Sequence, residues 1–316
     1  MRKGQNPAKF VKDVARPERI TVALLNYIPF LSGFYAETLD VLKACLASIR
    51  NEPGLPFDLM VFDNGSCAEA RDFLVSEKSA GRIQYLILSE KNAGKGGAWN
   101  VIFPGAPGEI ISYTDSDVLF SPGWLKRSVE ILETFPNVGM VTARPFRTPP
   151  EFYSSTLDWA GKAGALKEQQ QFIPWETFLE FNLSLGQTEE DNRKIYEETR
   201  DWVMSCEEIT ALAGASHWQF TAYKSRLQQF LPFDMEKPMG QVRQLDKRVN
   251  EAGMLRLMVP EPLAMNMSNT LGYVRGELKT APRPAQASIK KRLLEFGPVK
   301  RVLLAVYNRI FRWYYA

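Results

Sequence analysis

The hydrophobic pattern changes character along the chain. In the first half, Ile20 to Leu25, Phe57 to Phe62, Ile83 to Leu88 and Ile110 to Tyr113 are short, largely apolar runs suited to strands buried on both faces. Between the first two, Leu39, Leu42, Leu46 and Ile49 recur at helical spacing and would cover one sheet face. This alternation predicts an α/β fold: a mainly parallel, doubly wound sheet with helices on both faces. A further helix is predicted from Pro122 to Phe135, with Ser121 as N-cap and Pro122 at its first position, followed by a strand over Val138 to Thr142. The regularity then stops. From 146 to about 210 the chain is rich in Pro, aromatics and acids, which reads as an inserted helical or loop segment. A strand pattern returns at Ser216 to Ala222, followed by helices over Lys224 to Phe230 and Gly240 to Ala252. Gly253 is placed as C-cap of the second, and Leu255 to Val259 as a closing strand. Thr280 to Gln286 reads as a linker, and no internal repeat is visible.

Composition sets outer bounds. With 316 residues and 45% hydrophobic content the chain can bury a large core, as one α/β domain or two fused halves. A net charge of +3 is too small to argue for nucleic acid as a partner. Cys45, Cys67 and Cys206 are odd in number and lack metal-type spacing, which fits free thiols in a reducing compartment. The basic, polar N-terminus lacks the apolar stretch of a secretory signal, and no run reaches the length of a membrane span. The expected location is therefore cytoplasmic.

Polar residues that can carry chemistry gather at the carboxyl ends of the predicted strands, where open α/β sheets bind their ligands. Asp63 ends the second run, with Asn64-Gly65 suited to a tight turn and Ser66 to capping a helix. Such a carboxylate can meet a base edge, or can serve only the turn. Asn92-Ala93-Gly94-Lys95-Gly96-Gly97 offers close backbone approach and a cation for a phosphate, yet it matches neither a dinucleotide fingerprint nor a P-loop. Asp115 and Asp117 flank Ser116 after Ile-Ile-Ser-Tyr-Thr. On an extended backbone both carboxylates would share a face, with Ser116 turned away, and hard oxygen ligands select Mg²⁺ or Mn²⁺. The alternative is a solvated turn.

Taken in order, Val61 to Ser66, Glu90 to Asn100 and Tyr113 to Asp117 resemble the nucleotide-sugar-binding half of family 2 glycosyltransferases of the GT-A fold, over roughly residues 19 to 145. The resemblance implies that Asn26 and Asp63 lie beside the base, that Asn92, Gly94 and Lys95 lie near ribose or phosphate, and that Asp115 and Asp117 hold a metal-diphosphate. It also implies a division into an N-terminal tail (1–18), a donor half (19–145), an acceptor-side insertion (146–210), an acceptor and catalytic half (211–279), and a linker with a C-terminal segment (280–316).

The second half departs from the family pattern. Aligned on Ala252-Gly253-Met254, the places of the family's acidic pair hold Gln241 and Val242. Asp246, one turn on, is a candidate base, or part of an i,i+4 surface network with Arg243, Lys247 and Asn250. Asp234 and Glu236 compete for the same role. Where many relatives carry a histidine after Val-Pro-Asp/Glu, this chain has Asn266. His217, the chain's one histidine, is predicted on a polar strand face with Gln219 and Thr221, opposite Trp218 and Phe220. It is a candidate third metal ligand, an acceptor contact, or a hydrogen-bonded structural residue.

Ser288 to Ala316 carries seven cations (Lys290, Lys291, Arg292, Lys300, Arg301, Arg309, Arg312) against Glu295, interleaved with apolar and aromatic residues. This pattern fits an amphipathic helix on an anionic, cytoplasmic membrane face, or a terminal helix packed on the domain or on a second copy. The resemblance implies a metal-dependent transfer of sugar from a nucleoside-diphosphate donor, a UDP-sugar, to a saccharide or lipid-linked acceptor with inversion. A retaining transferase, or a non-catalytic nucleotide-sugar or glycan-binding protein, are the alternatives.

Overall fold

The computed structural model describes residues 4–236, 242–272, 274–277 and 309, and all but Arg309 of these belong to a unit ending at Glu277. In chain order the elements are β1 (Ile20–Asn26), α1 (Thr38–Arg50), β2 (Asp58–Asp63), α2 (Ala68–Ser79), β3 (Tyr85–Leu88), α3 (Gly94–Gly105), β4 (Ile110–Asp115), β5 (Val118–Phe120), α4 (Trp124–Thr134) and β6 (Val138–Thr142). There follow α5 (Ser154–Ala163), β7 (Leu166–Gln170), α6 (Trp175–Ser184), α7 (Glu189–Glu198), β8 (Asp201–Cys206), β9 (Ile209–Ala213), β10 (Gln219–Tyr223), α8 (Lys224–Gln228), α9 (Val242–Glu251), β11 (Leu255–Met258) and β12 (Ala264–Asn266).

One sheet runs β3-β2-β1-β4-β10-β6-β11-β9-β8-β7, and β5 pairs with β12 beside it. β3, β2, β1, β4, β6 and β11 point the same way, with β10 antiparallel between β4 and β6. Period-2 alternation divides the core between the two faces. Val22, Leu24, Leu59 and Val61 pack with Leu42 and Leu46 of α1, Leu74 of α2 and Leu125 and Leu132 of α4. Ala23, Leu25, Met60 and Phe62 pack with Trp99 and Phe103 of α3, Leu227 of α8 and Leu245 and Val249 of α9.

The chain leaves β1 for β2 and β3 on one side and returns as β4 on the other, so a topological switch point opens between β1 and β4. Registers bring Asn26 level with Asp63 and Leu25 level with Asp115 at the carboxyl edge.

Three predictions need correction. The helix after the acidic step starts at Trp124, capped by Gly123 at φ 88°, because Ser121 and Pro122 are used in the turn leading out of β5. The 146–210 stretch holds strands as well as helices: β7, β8 and the start of β9 extend the sheet as an antiparallel meander. Its apolar runs flank a two-acid turn at Glu207-Glu208, with Glu207 at φ 53°. Lastly, β10 begins at Gln219, so His217 and Trp218 lie in the preceding turn, and Trp218 and Phe220 join different core clusters. The predicted linker and basic segment, except Arg309, and Gln241 lie outside the described residues. Among the described residues no helix is long and apolar enough to cross a membrane.

Candidate active site

A cleft of about 420 Å³ opens at the switch point. Its floor comes from the ends of β1 and β4, with Leu25, Asp115, Ser116 and Asp117. One wall carries Tyr27, Phe34 and Tyr35, the other Asn64, Asn92, Gly94 and Lys95, and Ser268 and Asn269 close it from beyond β12.

Asp115 is held at both oxygens. Lys95 Nζ donates to Oδ2 at 2.7 Å and the Tyr113 hydroxyl donates to Oδ1 at 2.6 Å. The buried Lys95 ammonium lies 5.5 Å from the ring centroids of both Trp99 and Tyr113, so aromatic faces and a carboxylate together offset its desolvation. Burial, with the neighbouring Asp115 carboxylate, pushes the Tyr113 hydroxyl above its ordinary range and keeps it a donor.

Asp117 differs. Its Oδ1 is buried with no hydrogen-bond partner among the described residues. Burial and the Asp115 charge push this carboxyl up to about 7, while Lys95 opposes them. A desolvated carboxylate oxygen lacking a donor beside a second carboxylate suits a divalent cation. The chain turns at Ser116-Asp117 instead of staying extended, so Ser116 also lines the cleft. Among the described residues, no group of three His, Cys, Asp or Glu side chains is placed to share an ion, so Asp115 and Asp117 stand as a pair.

The structure places Asn26 and Asp63 behind the cleft wall, both fully buried. Asn26 Nδ2 donates to Asp63 Oδ1 at 2.9 Å, and the Ser66 backbone N–H donates to Asp63 Oδ2 at 3.1 Å. These bonds tie the ends of β1 and β2 together. Asn64, the next residue, reaches the cleft instead: its Nδ2 donates to Asn92 Oδ1 at 2.9 Å and its Oδ1 accepts from Ala93 N at 2.9 Å. Asn92 Oδ1 also accepts from Gly94 N at 2.8 Å, at the start of α3. Gly65, at φ 83°, is needed here, because a Cβ would stand 3.0 Å from Asn92 N and Lys91 C.

His217 does not join the acids of the step. Its Nδ1 lies 2.6 Å from Asp246 Oδ2, while Arg256 Nη2 donates to Asp246 Oδ1 at 2.6 Å. Asp246 is thus a buried partner of two cationic or polar groups, and the predicted surface network is replaced by a Lys247–Glu251 pair at 3.6 Å. Burial lowers the Arg256 guanidinium, and Asp246 counters it. Asp234 and Glu236 are exposed on a loop whose Phe233 packs on Trp99 of α3, outside the cleft lining.

Sequence reasoning missed Asn64, Tyr113, Ser268, Asn269 and Arg256. Adjacency to Asp63 and spacing to Asp115 were signals for the first two. Nothing local marks the last three, which arrive through β11 and β12 from distant sequence.

Residues 33–188 match the family model described as Glycosyl transferase family 2. An uncharacterized glycosyltransferase of Nostoc sp., alr2836, is 27% identical over 124 residues, covering 39% of this chain and 35% of its own. The chain therefore spans about a third of that relative's length. Among solved structures, a mannosyltransferase from Pyrobaculum calidifontis in complex with GDP-Man and Mn²⁺ is 17% identical, with a TM-score of 0.49 over 83% of this chain and 60% of its own. Residues 1–349 of S. aureus TarS in complex with UDP-GlcNAc are 14% identical, with a TM-score of 0.46 over 80% of this chain and 61% of theirs.

Proposed function

We propose that this chain, a family 2-like glycosyltransferase by its matching segment, transfers a sugar from a nucleoside diphosphate to a hydroxyl acceptor in the cleft between β1 and β4. The observation that carries the proposal is the buried, partnerless Asp117 Oδ1 beside an Asp115 already held by Lys95 and Tyr113. Asp117, with Asp115, would hold Mn²⁺ or Mg²⁺, which supplies charge stabilisation to the leaving diphosphate. Lys95 contributes a fixed cation to the same phosphates, and α3 directs its N-terminus at the cleft floor. Tyr27, with 41% of its surface exposed, and Phe34, with 61%, offer flat faces for a base.

In this account the donor is a UDP-sugar, the acceptor a saccharide or lipid-linked glycan, and the anomeric centre inverts. The basic, aromatic segment 288–316 supports a membrane-borne acceptor. The test is a donor screen: purified protein with Mn²⁺, a panel of UDP- and GDP-sugars and octyl glycoside acceptors, scored for released nucleoside diphosphate and glycosylated product. Metal-dependent product from at least one donor supports transfer, and nucleotide binding without product from any donor would replace it with a binding protein.

A further inference from the structure

Both oxygens of Asp246 are already engaged by nitrogens, and the residue is buried. Oδ1 accepts from Arg256 Nη2 and Oδ2 faces His217 Nδ1, both at 2.6 Å, and the residue is 6% exposed. His217, in contrast, keeps a quarter of its side chain open to solvent. A carboxylate only accepts, so its contact with Nδ1 fixes the proton there and leaves the Nε2 lone pair directed away from Asp246. Arg256, almost fully buried and bonded as well to the carbonyls of Phe152 and Ala215, anchors the carboxylate from behind.

The location matters as much as the pairing. His217 belongs to the turn entering β10, and the carbonyl of the next residue, Trp218, accepts from the backbone N–H of Asp115 at 2.9 Å. The turn that carries His217 therefore lies at the carboxyl edge of the sheet, beside the cleft and not in its lining, one residue along the chain from a direct main-chain bond to the acidic step.

Resting on the sugar-transfer reading, we infer that His217 is the general base of the reaction and Asp246 its positioning residue. The acceptor hydroxyl oxygen bonds to the anomeric carbon of the donor, and the bond from that carbon to the diphosphate oxygen breaks with its electron pair on the diphosphate. The hydroxyl proton moves to His217 Nε2, and the resulting imidazolium is met by the Asp246 carboxylate. The arrangement has the logic of a histidine held by a carboxylate in acyl transfer, applied to a different electrophile.

The test compares the parent with His217→Ala and His217→Asn, whose amide can still donate to Asp246. Calorimetry of UDP and GDP with Mn²⁺ is read beside transfer to octyl glycosides. The expected result is unchanged nucleotide-metal affinity, a loss of transfer of at least ~100-fold in both variants, and partial recovery of His217→Ala by added imidazole. Transfer retained in His217→Asn would overturn the inference. So would loss of nucleotide-metal affinity in both variants, which would put His217 in the donor site. Failure of the parent to transfer any sugar is a separate result: it removes the sugar-transfer reading and this inference with it.

Discussion

The backbone N–H of Met267 donates to the carbonyl of Asp117 at 2.7 Å, tying the strand after β11 directly to the acidic step. Asn266 pairs opposite Val118 in the same ladder, and the chain then runs on as Ser268 and Asn269 in the cleft wall. That wall is fastened again by Glu37, which accepts from Thr270 Oγ1 at 2.8 Å, Leu271 N at 3.0 Å and Arg275 Nη1 at 3.3 Å.

Glu37 lies outside the cleft lining yet holds one of its walls, so Glu37→Ala should weaken nucleoside-diphosphate binding while leaving the fold intact. A loss of ~3- to 10-fold is expected, the scale of one or two net hydrogen bonds. Calorimetric titration beside thermal melting checks it. An unchanged affinity would mean that Ser268 and Asn269 do not contact the nucleotide.

Lys95 lies between Trp99 and Tyr113 and faces Asp115, so Lys95→Met keeps most of the apolar packing and removes the charge. Nucleoside-diphosphate affinity should fall by roughly 10- to 100-fold, the range of a charge-assisted hydrogen bond. Titration of UDP and GDP against both proteins at fixed Mn²⁺ measures the difference.

Asp117 gives the proposed metal site a pH signature. Its folded carboxyl sits near 7 where an ordinary aspartate sits at 3.8, so the folded apoprotein retains a proton that the unfolded chain gives up. Stability contributed at this residue therefore falls as pH rises from 3.8 to about 7, and is level above that. A cation displaces the same proton, so Mn²⁺ affinity should weaken by ~10-fold per unit below about 7 and plateau above it. Mn²⁺ titrations from pH 5.5 to 8.5 test the slope, and Asp117→Asn should abolish it.

Gly139 of β6 fixes how α9 seats on the sheet. A Cβ there would stand 2.5 Å from Val249 Cγ1 and 2.9 Å from Met254 Cβ. Gly139→Ala should destabilise the protein by ~1–3 kcal/mol, the usual cost of overpacking. Chemical denaturation of the two proteins, compared at equal m-value, checks this.

The first half of the fold was legible because each of its signals is local. Leu42, Leu46 and Ile49 declare a helix face and Val22 and Leu24 a strand face within a few residues, and the switch point follows from their order. Lys95, Asp115 and Asp117 could be found because glycine-rich turns and paired acids mark strand ends. Long-range pairing hid the rest. Asp246 looks like a surface residue of an amphipathic helix until Arg256, ten residues on, is brought beneath it by β11. That Asp63 is bonded by Asn26 and by the Ser66 amide could not be read before the ends of β1 and β2 were brought level. β8 was missed because Asp201 and Cys206 bound a short run next to charged Glu207-Glu208, which reads as loop when the receiving edge at β9 is unknown.

The most direct measurement is calorimetry of UDP and GDP binding with and without Mn²⁺, for the parent and Asp117→Asn. The parent should bind at least one nucleoside diphosphate far more tightly with Mn²⁺, and Asp117→Asn should lose that gain while melting at or above the parent's temperature near neutral pH. Equal affinity with and without metal, or a full metal gain in Asp117→Asn, would contradict a metal-diphosphate site at Asp115 and Asp117.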